Sequence, residues 1–250
     1  MHRPHLLLCP QFTEVEWAIA GMLAEWADVA TFDAPGMGDE ELPNDDYAAL
    51  DRELVVRRAL REVEGRGWDS YFVVGDAWGT ATAARVAAVR PDPVLGLALG
   101  HATLDYGSDG ARPAVNGEVV AAMTQLLRSD YESFVRYGIT QFTQGGYDEE
   151  TAAQMVDRFP PMETASRVWE MLIARPEPIG ELLRDLDVPL LLVKHDGCLV
   201  FTAEGFDDAV AALPAARRTS TNRSPSASDE FADALRDFCE QVLSGDRPRS

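Results

Sequence analysis

The sequence holds one lysine, three cysteines and no long apolar run among its 250 residues. The shortage of lysine excludes little, because arginine and lysine solvate an exposed face comparably well. The cysteines say more. Cys9, Cys198 and Cys239 are an odd number without C-x-x-C spacing, which excludes the even disulfide framework of small secreted domains. Reduced thiols in the cytoplasm are expected. Near the N-terminus the only apolar run is Leu6-Leu7-Leu8-Cys9, far short of a signal-peptide core of roughly 7–15 residues. No later segment approaches the roughly 20 residues needed to span a bilayer, so the chain reads as soluble and intracellular.

Positive charge is also scarce. Twenty-two basic against 42 acidic residues leave a formal charge of −20. A charge of that sign repels polyphosphate and anionic headgroups, which argues against nucleic acid or membrane as the main partner. Most of the acid excess serves solubility. The partner expected is a small-molecule substrate or ligand, with no cofactor and no metal, and a homodimer is left open.

What is present is ample apolar material, 46% of residues, in a chain long enough for one large α/β domain or two small ones. Short apolar runs alternate with helical-period stretches. Strands are predicted at His5 to Cys9, Asp28 to Phe32, Ser70 to Val74, Pro93 to Leu99 and Pro189 to Val193, with a weak sixth at Arg217 to Ser220. Helices are predicted at about Val15 to Trp26, Asp46 to Val63, Thr80 to Val89 and Asp229 to Leu243. The arginines and glutamates of the second helix form a solvated face. Strand, helix, strand in repetition implies a mostly parallel sheet flanked by helices on both sides. Between the fourth and fifth strands, helical stretches at Glu118 to Leu127, Tyr131 to Thr143, Glu149 to Asp157 and Glu163 to Ala174 read as an insertion. With no repeat and no low-complexity linker, residues 1–250 are expected to form a single domain with a helical cap over 105–186.

The turn Gly75-x-Ala77-x-Gly79, after an apolar strand and before an alanine-rich helix, resembles the nucleophile elbow of the α/β-hydrolases. Phe32-Asp33-x-Pro35-Gly36-x-Gly38 is similar to that family's loop after the strand preceding the elbow. Asp187-Val188-Pro189-Leu190-Leu191-Leu192-Val193 is similar to the approach to the strand that carries its acid. The resemblance covers nearly the whole chain, which starts at what would be the family's third strand. It implies a nucleophile, a histidine, an orienting acid and amides aimed at an oxyanion.

Several of those parts are missing. Ala77 stands at the nucleophile place, and Thr219 to Ser228 contains no histidine. The place of the acid falls to Asp196 or, by spacing, Cys198. Cys9-Pro10 replaces the family's His-Gly, with the amides of Gln11 and Trp78 left to form an oxyanion pocket and Cys9, Ala77 and Cys198 lining it.

Since strand ends of an open parallel sheet converge on one crevice, the expected site gathers Cys9, Asp33, Asp76, His101 and His195, with Asp196 and Cys198 beyond. Two histidines beside carboxylates can run acid-base chemistry without a covalent intermediate. His101 and Asp196 are the leading candidates, with His195 and Asp76 next. Capping of strand ends by these histidines is the structural alternative. Cys9 or Cys198 paired with a histidine is a further one, and zinc on His101, His195 and Cys198 or Asp196 lacks diagnostic spacing.

Three functions stay open at this point. The first is an enzyme acting on a small, largely apolar organic molecule by non-serine acid-base chemistry. The second is a non-catalytic binding or regulatory protein that keeps the fold. The third is a serine hydrolase whose elbow serine was replaced by engineering, leaving Ala77.

Overall fold

The structure, a computed structural model, describes residues 3–10, 14, 17–38, 40, 42, 51–101, 115–143, 153, 156–170 and 179–245. Six strands form one sheet: β1 (His5–Cys9), β2 (Asp28–Ala30), β3 (Tyr71–Asp76), β4 (Val94–Gly100), β5 (Leu190–His195) and β6 (Arg217–Thr221). Every neighbouring pair is parallel, in the order β2-β1-β3-β4-β5-β6. The chain thus leaves β1 for one edge, returns across it to β3, and builds the other half outward. That reversal between β1 and β3 is where an open α/β sheet opens a crevice at its carboxyl ends.

The apolar runs form strands because both faces of the sheet are covered. Leu7, Cys9, Tyr71 and Val73 enter one core cluster, whereas Leu6, Leu8, Phe72 and Val74 enter the other. That alternation is the two-residue period of a strand. On the first side lie α2 (Arg52–Arg66) and α3 (Gly79–Val89); on the second lie α1 (Ala20–Leu23) and the terminal helix.

Strand ends differ from the sequence reading where it matters most. β3 continues two residues past Val74, with Gly75 and Asp76 paired to Leu99 and Gly100, and β5 runs on through His195. Glycine and ionisable residues read as loop, but ladder partners keep them extended: Gly75 pairs with Cys9 and Leu99, Asp76 with Gly100 and His195 with Thr221. β2 stops at Ala30 rather than Phe32.

Helix α2 begins after Asp51, whose side chain accepts from Leu54 N, and ends at Gly67 in the left-handed region. Its expected beginning, residues 46–50, lies outside the described residues. The expected helix from Val15 is observed only as α1, and residues 15 and 16 also lie outside. Between β4 and β5 come α4 (Gly117–Ser129), α5 (Tyr131–Thr143), α6 (Met162–Trp169) and α7 (Ile179–Asp185). Most of the helix expected over 149–157, and residues 171–174 of the next, are outside the description. α7 and α8 (Ala203–Ala212) stand where the sequence predicts no helix, although the Thr202 hydroxyl caps α8 by accepting from Gly205 N. After a 3-10 turn at Pro225–Ala227, Ser228 caps α9 (Asp229–Ser244), which ends on left-handed Gly245. No helix among the described residues is long and apolar enough to cross a membrane.

Candidate active site

Two non-glycine residues among those described have positive φ, Ala77 at 48° and His101 at 54°. Each directly follows a central strand. An L-residue in this region is strained, and such strain gathers at functional turns. The Ala77 amide donates to Gly100 O at 3.0 Å and the His101 amide to Val193 O at 2.9 Å, so each turn is tied to the neighbouring strand. The flanking glycines are required sterically. A Cβ on Gly75 would stand 2.6 Å from Gly79 O, and one on Gly79 would stand 2.2 Å from Cys9 O.

Asp76 lies beside the turn and is buried. Its Oδ1 meets His101 Nδ1 at 2.7 Å, while its Oδ2 accepts from the Ser224 hydroxyl at 2.9 Å and the Ser226 amide at 3.1 Å. Burial alone would raise this carboxyl, but the His101 charge and these hydrogen bonds hold it below the ordinary carboxylate range. His101 is buried as well. Desolvation pushes its imidazole down, yet Asp76 and then Cys198 outweigh it and raise the pKa to about 10. With both ring nitrogens protonated, Nδ1 donates to Asp76 and Nε2 to His195 Nδ1, 3.0 Å away.

Cys198 completes the cluster. Burial opposes its thiolate, but hydrogen bonds from His101 and His195, the His101 charge and the Phe201 amide bring the thiol down to about 5. The Phe201 N–H lies 3.4 Å from Sγ. The other two thiols, Cys9 and Cys239, are buried in apolar surroundings and pushed well above the usual thiol range.

The donor atoms of His101, His195 and Cys198 all fall within 4.8 Å of one another, a set zinc accepts chemically. As they stand, the two ring nitrogens meet each other. Two nitrogens on one tetrahedral zinc, at about 2.05 Å each, stand roughly 3.3 Å apart. The 3.0 Å between the two histidines is a hydrogen-bond distance. A shared proton explains the contact.

These side chains open onto a cavity of about 110 Å³ lined by His101, His195, Cys198, Phe201, Thr202 and Phe206, among others. Ionisable groups and aromatic rings share its lining, the Phe201 ring standing 4.9 Å from that of His101.

No protein-family model matches the chain, and no curated protein is similar to it in sequence. Solved structures are similar in fold. A hydrolase from Oleispira antarctica superposes with a TM-score of 0.77 at 12% identity, over 96% of this chain and 92% of the other. An esterase from Rhodococcus sp. gives 0.75 at 18%, over 96% and 91%, and the enol-lactonase of Burkholderia xenovorans gives 0.71 at 18%, over 98% and 92%.

The chain has the α/β-hydrolase fold.

Against that fold, the expected residues separate into two groups. Asp76, His101, His195 and Cys198 converge. Asp196 does not join them: its carboxylate is half exposed and pairs with Lys194 Nζ at 3.1 Å. It is therefore corrected from a leading acid-base candidate to a partner of Lys194. Cys9 is wholly buried in β1 and does not line the cavity, which removes it from the expected ligand contacts. Ala77 and Trp78 are likewise buried; Trp78 reaches the cavity wall indirectly, its ring 5.9 Å from that of Phe201. Asp33 stays apart, accepting from the Glu14 amide at 2.9 Å. Gln11 lies outside the described residues.

Sequence reasoning missed Ser224, Ser226, Phe201 and Phe206. The first two occupy the loop after β6 in the run Ser224-Pro225-Ser226-Ala227-Ser228. Where the α/β-hydrolase family places a histidine, this chain presents donors that hold a carboxylate.

Proposed function

We propose that this chain is an enzyme that acts on a small, largely apolar molecule by proton transfer through His101, without a serine nucleophile. The observation that carries the reading is the buried line from Asp76 through His101 to His195, held at Asp76 by Ser224 and Ser226 and opening onto a cavity. A structural ion pair does not need a second imidazole or an adjacent space. Asp76, held by Ser224 and Ser226, sets the ring plane and keeps Nδ1 protonated. Nε2 is then the atom that gives a proton to a leaving group or an oxyanion, and His195 is placed to receive or return it.

Hydrolysis of a carbonyl compound supports this reading best. The solved structures of like fold include enzymes named as an esterase and an enol-lactonase. An imidazolium beside a cavity is suited to the negative charge that develops on a carbonyl oxygen. The cavity is below the roughly 300–1,000 Å³ of drug-sized sites, which favours substrates whose reacting end is small. The helices between β4 and β5 act in this proposal as a cap over 105–186, and the single-domain reading is retained with it.

A panel of short-chain aryl esters and lactones tests the proposal. Native protein turns over at least one member, and His101→Gln loses about 10²–10⁴-fold in kcat. If binding is detected by calorimetry but no turnover occurs, the chain is a ligand-binding protein instead.

A further inference from the structure

We propose that Cys198 is the nucleophile of this site, and that its substrates are small compounds with an electrophilic acyl carbon, which it captures as a thioester. The inference rests on the proton-transfer reading of His101 and names the group that makes the covalent bond.

Geometry carries it. Cys198 lies just beyond the end of β5, half-buried, with its side chain on the cavity wall, so a ligand can reach it. Its Sγ shares one 4.8 Å cluster with the nitrogens of His101 and His195, and accepts the Phe201 amide. Asp76 orients His101 from the far side at 2.7 Å. Thiol, imidazole and carboxylate in series are what an activated thiolate needs: a base beside it and an acid fixing that base. The place of this nucleophile differs from the turn after β3, where Ala77 has no lone pair to offer. The thiol thus follows β5 and the carboxylate ends β3, the reverse of the order that the resemblance implies, with both at the same crevice.

The reaction balances. Cys198 Sγ as thiolate attacks the acyl carbon, forming the S–C bond. As the tetrahedral intermediate collapses, the bond from carbon to the leaving oxygen breaks, and His101 gives that oxygen its Nε2 proton. An acyl-thioester, an alcohol and a neutral His101 result. Neutral His101 then takes a proton from water, whose oxygen attacks the same carbon. The C–S bond breaks, releasing the acid and restoring thiolate and imidazolium. No oxidant or metal enters.

Among the described residues, the charged and titratable groups that face Cys198 are His101 beyond β4 and His195 on β5. Lys194, also on β5 and on the cavity wall, is paired with Asp196 at 3.1 Å. Alkylation by iodoacetamide, followed by peptide mapping, reads the thiolate directly. At pH 6 Cys198 is modified, whereas Cys9 and Cys239 are not until the protein is denatured. His101→Gln slows the modification about tenfold at that pH, the lost thiolate fraction being partly offset by higher intrinsic nucleophilicity. Thermal unfolding of the variant checks that its fold is kept, and Cys198→Ser gives a second variant of native shape. With p-nitrophenyl acetate, native protein quenched in acid carries one acetyl group on the Cys198 peptide, and Cys198→Ser shows neither adduct nor burst. Full turnover by Cys198→Ser alongside a dead His101→Gln overturns the nucleophile and leaves proton transfer by His101 standing. Full turnover by both overturns both. Alkylation of Cys198 at pH 6 no faster in native than in denatured protein also overturns the inference.

Discussion

His101 Nδ1 stands 2.7 Å from Asp76 Oδ1, joining the first residue after β4 to the last residue of β3 in a buried, charge-assisted hydrogen bond. Both groups depend on it. A buried carboxylate without its cation, or an imidazolium without its anion, is strongly disfavoured.

Asp76→Asn removes the anion while keeping the side-chain shape. The expected effect is a loss of about 3–5 kcal/mol in unfolding free energy, as when one partner of a buried pair is removed. Urea titration of native and variant proteins measures it. Turnover on the best member of the ester panel falls with the His101 charge, by about 10² or more.

The Cys198 and His101 pKa values predict a plateau in stability against pH. Between about 6.5 and 9, the folded cluster holds one proton on His101, and the unfolded chain holds one on Cys198, so the two states bind equally. Below 6.5 the unfolded chain protonates its histidine as well, and stability is lost as pH falls toward 5. Above 9 the unfolded chain has lost both protons, while folded His101 keeps its own, so stability is lost as pH rises toward 10. Each end is worth about 1–2 kcal/mol. The double variant His101→Gln, Cys198→Ala lacks both contributions, and the difference between its denaturation curves and the native ones across pH is the readout.

Two glycine substitutions separate by sign. Gly79→Ala forces a Cβ to within 2.2 Å of Cys9 O, a backbone atom that cannot move aside, and costs about 3 kcal/mol or more. Gly65→Ala, in the last turn of α2 with no atom within 4 Å of its added Cβ, stabilises by about 0.4–1 kcal/mol. Thermal unfolding of the two variants checks both.

Ala77→Ser does not raise esterase turnover above native. The loop after β6 brings Ser224 and Ser226 to Asp76 and offers no histidine, and His101 is already engaged by Asp76 and His195. Strong esterase activity in the serine variant alone would instead identify a serine enzyme whose elbow residue had been replaced.

The fold was legible because its signals are local. Apolar runs of five to seven residues mark buried parallel strands, and Gly75 and Gly79 bracket a turn that no larger residue permits. The convergence of Asp76, His101 and His195 followed from their positions at strand ends. Which acid pairs with His101 was not legible. Asp196, one residue beyond His195, ranks ahead of Asp76 on sequence, but its place past the end of β5 and the nearby Lys194 turn it toward solvent. Spacing brings Cys198 to the crevice, but its approach to both histidines depends on a loop geometry that spacing does not encode. The aromatic part of the lining comes from Phe201, just before α8, and Phe206 in its first turn, a helix whose local sign is the Thr202 cap.

The titration of the His101 imidazole, followed by nuclear magnetic resonance in native and Asp76→Asn proteins, tests the account most directly. The predicted result is an apparent pKa of about 10 in the native protein, falling toward the ordinary 6.5 in the variant. A native His101 that titrates near 6.5, unmoved by Asp76→Asn, would contradict the buried charge pair on which the proposed chemistry depends.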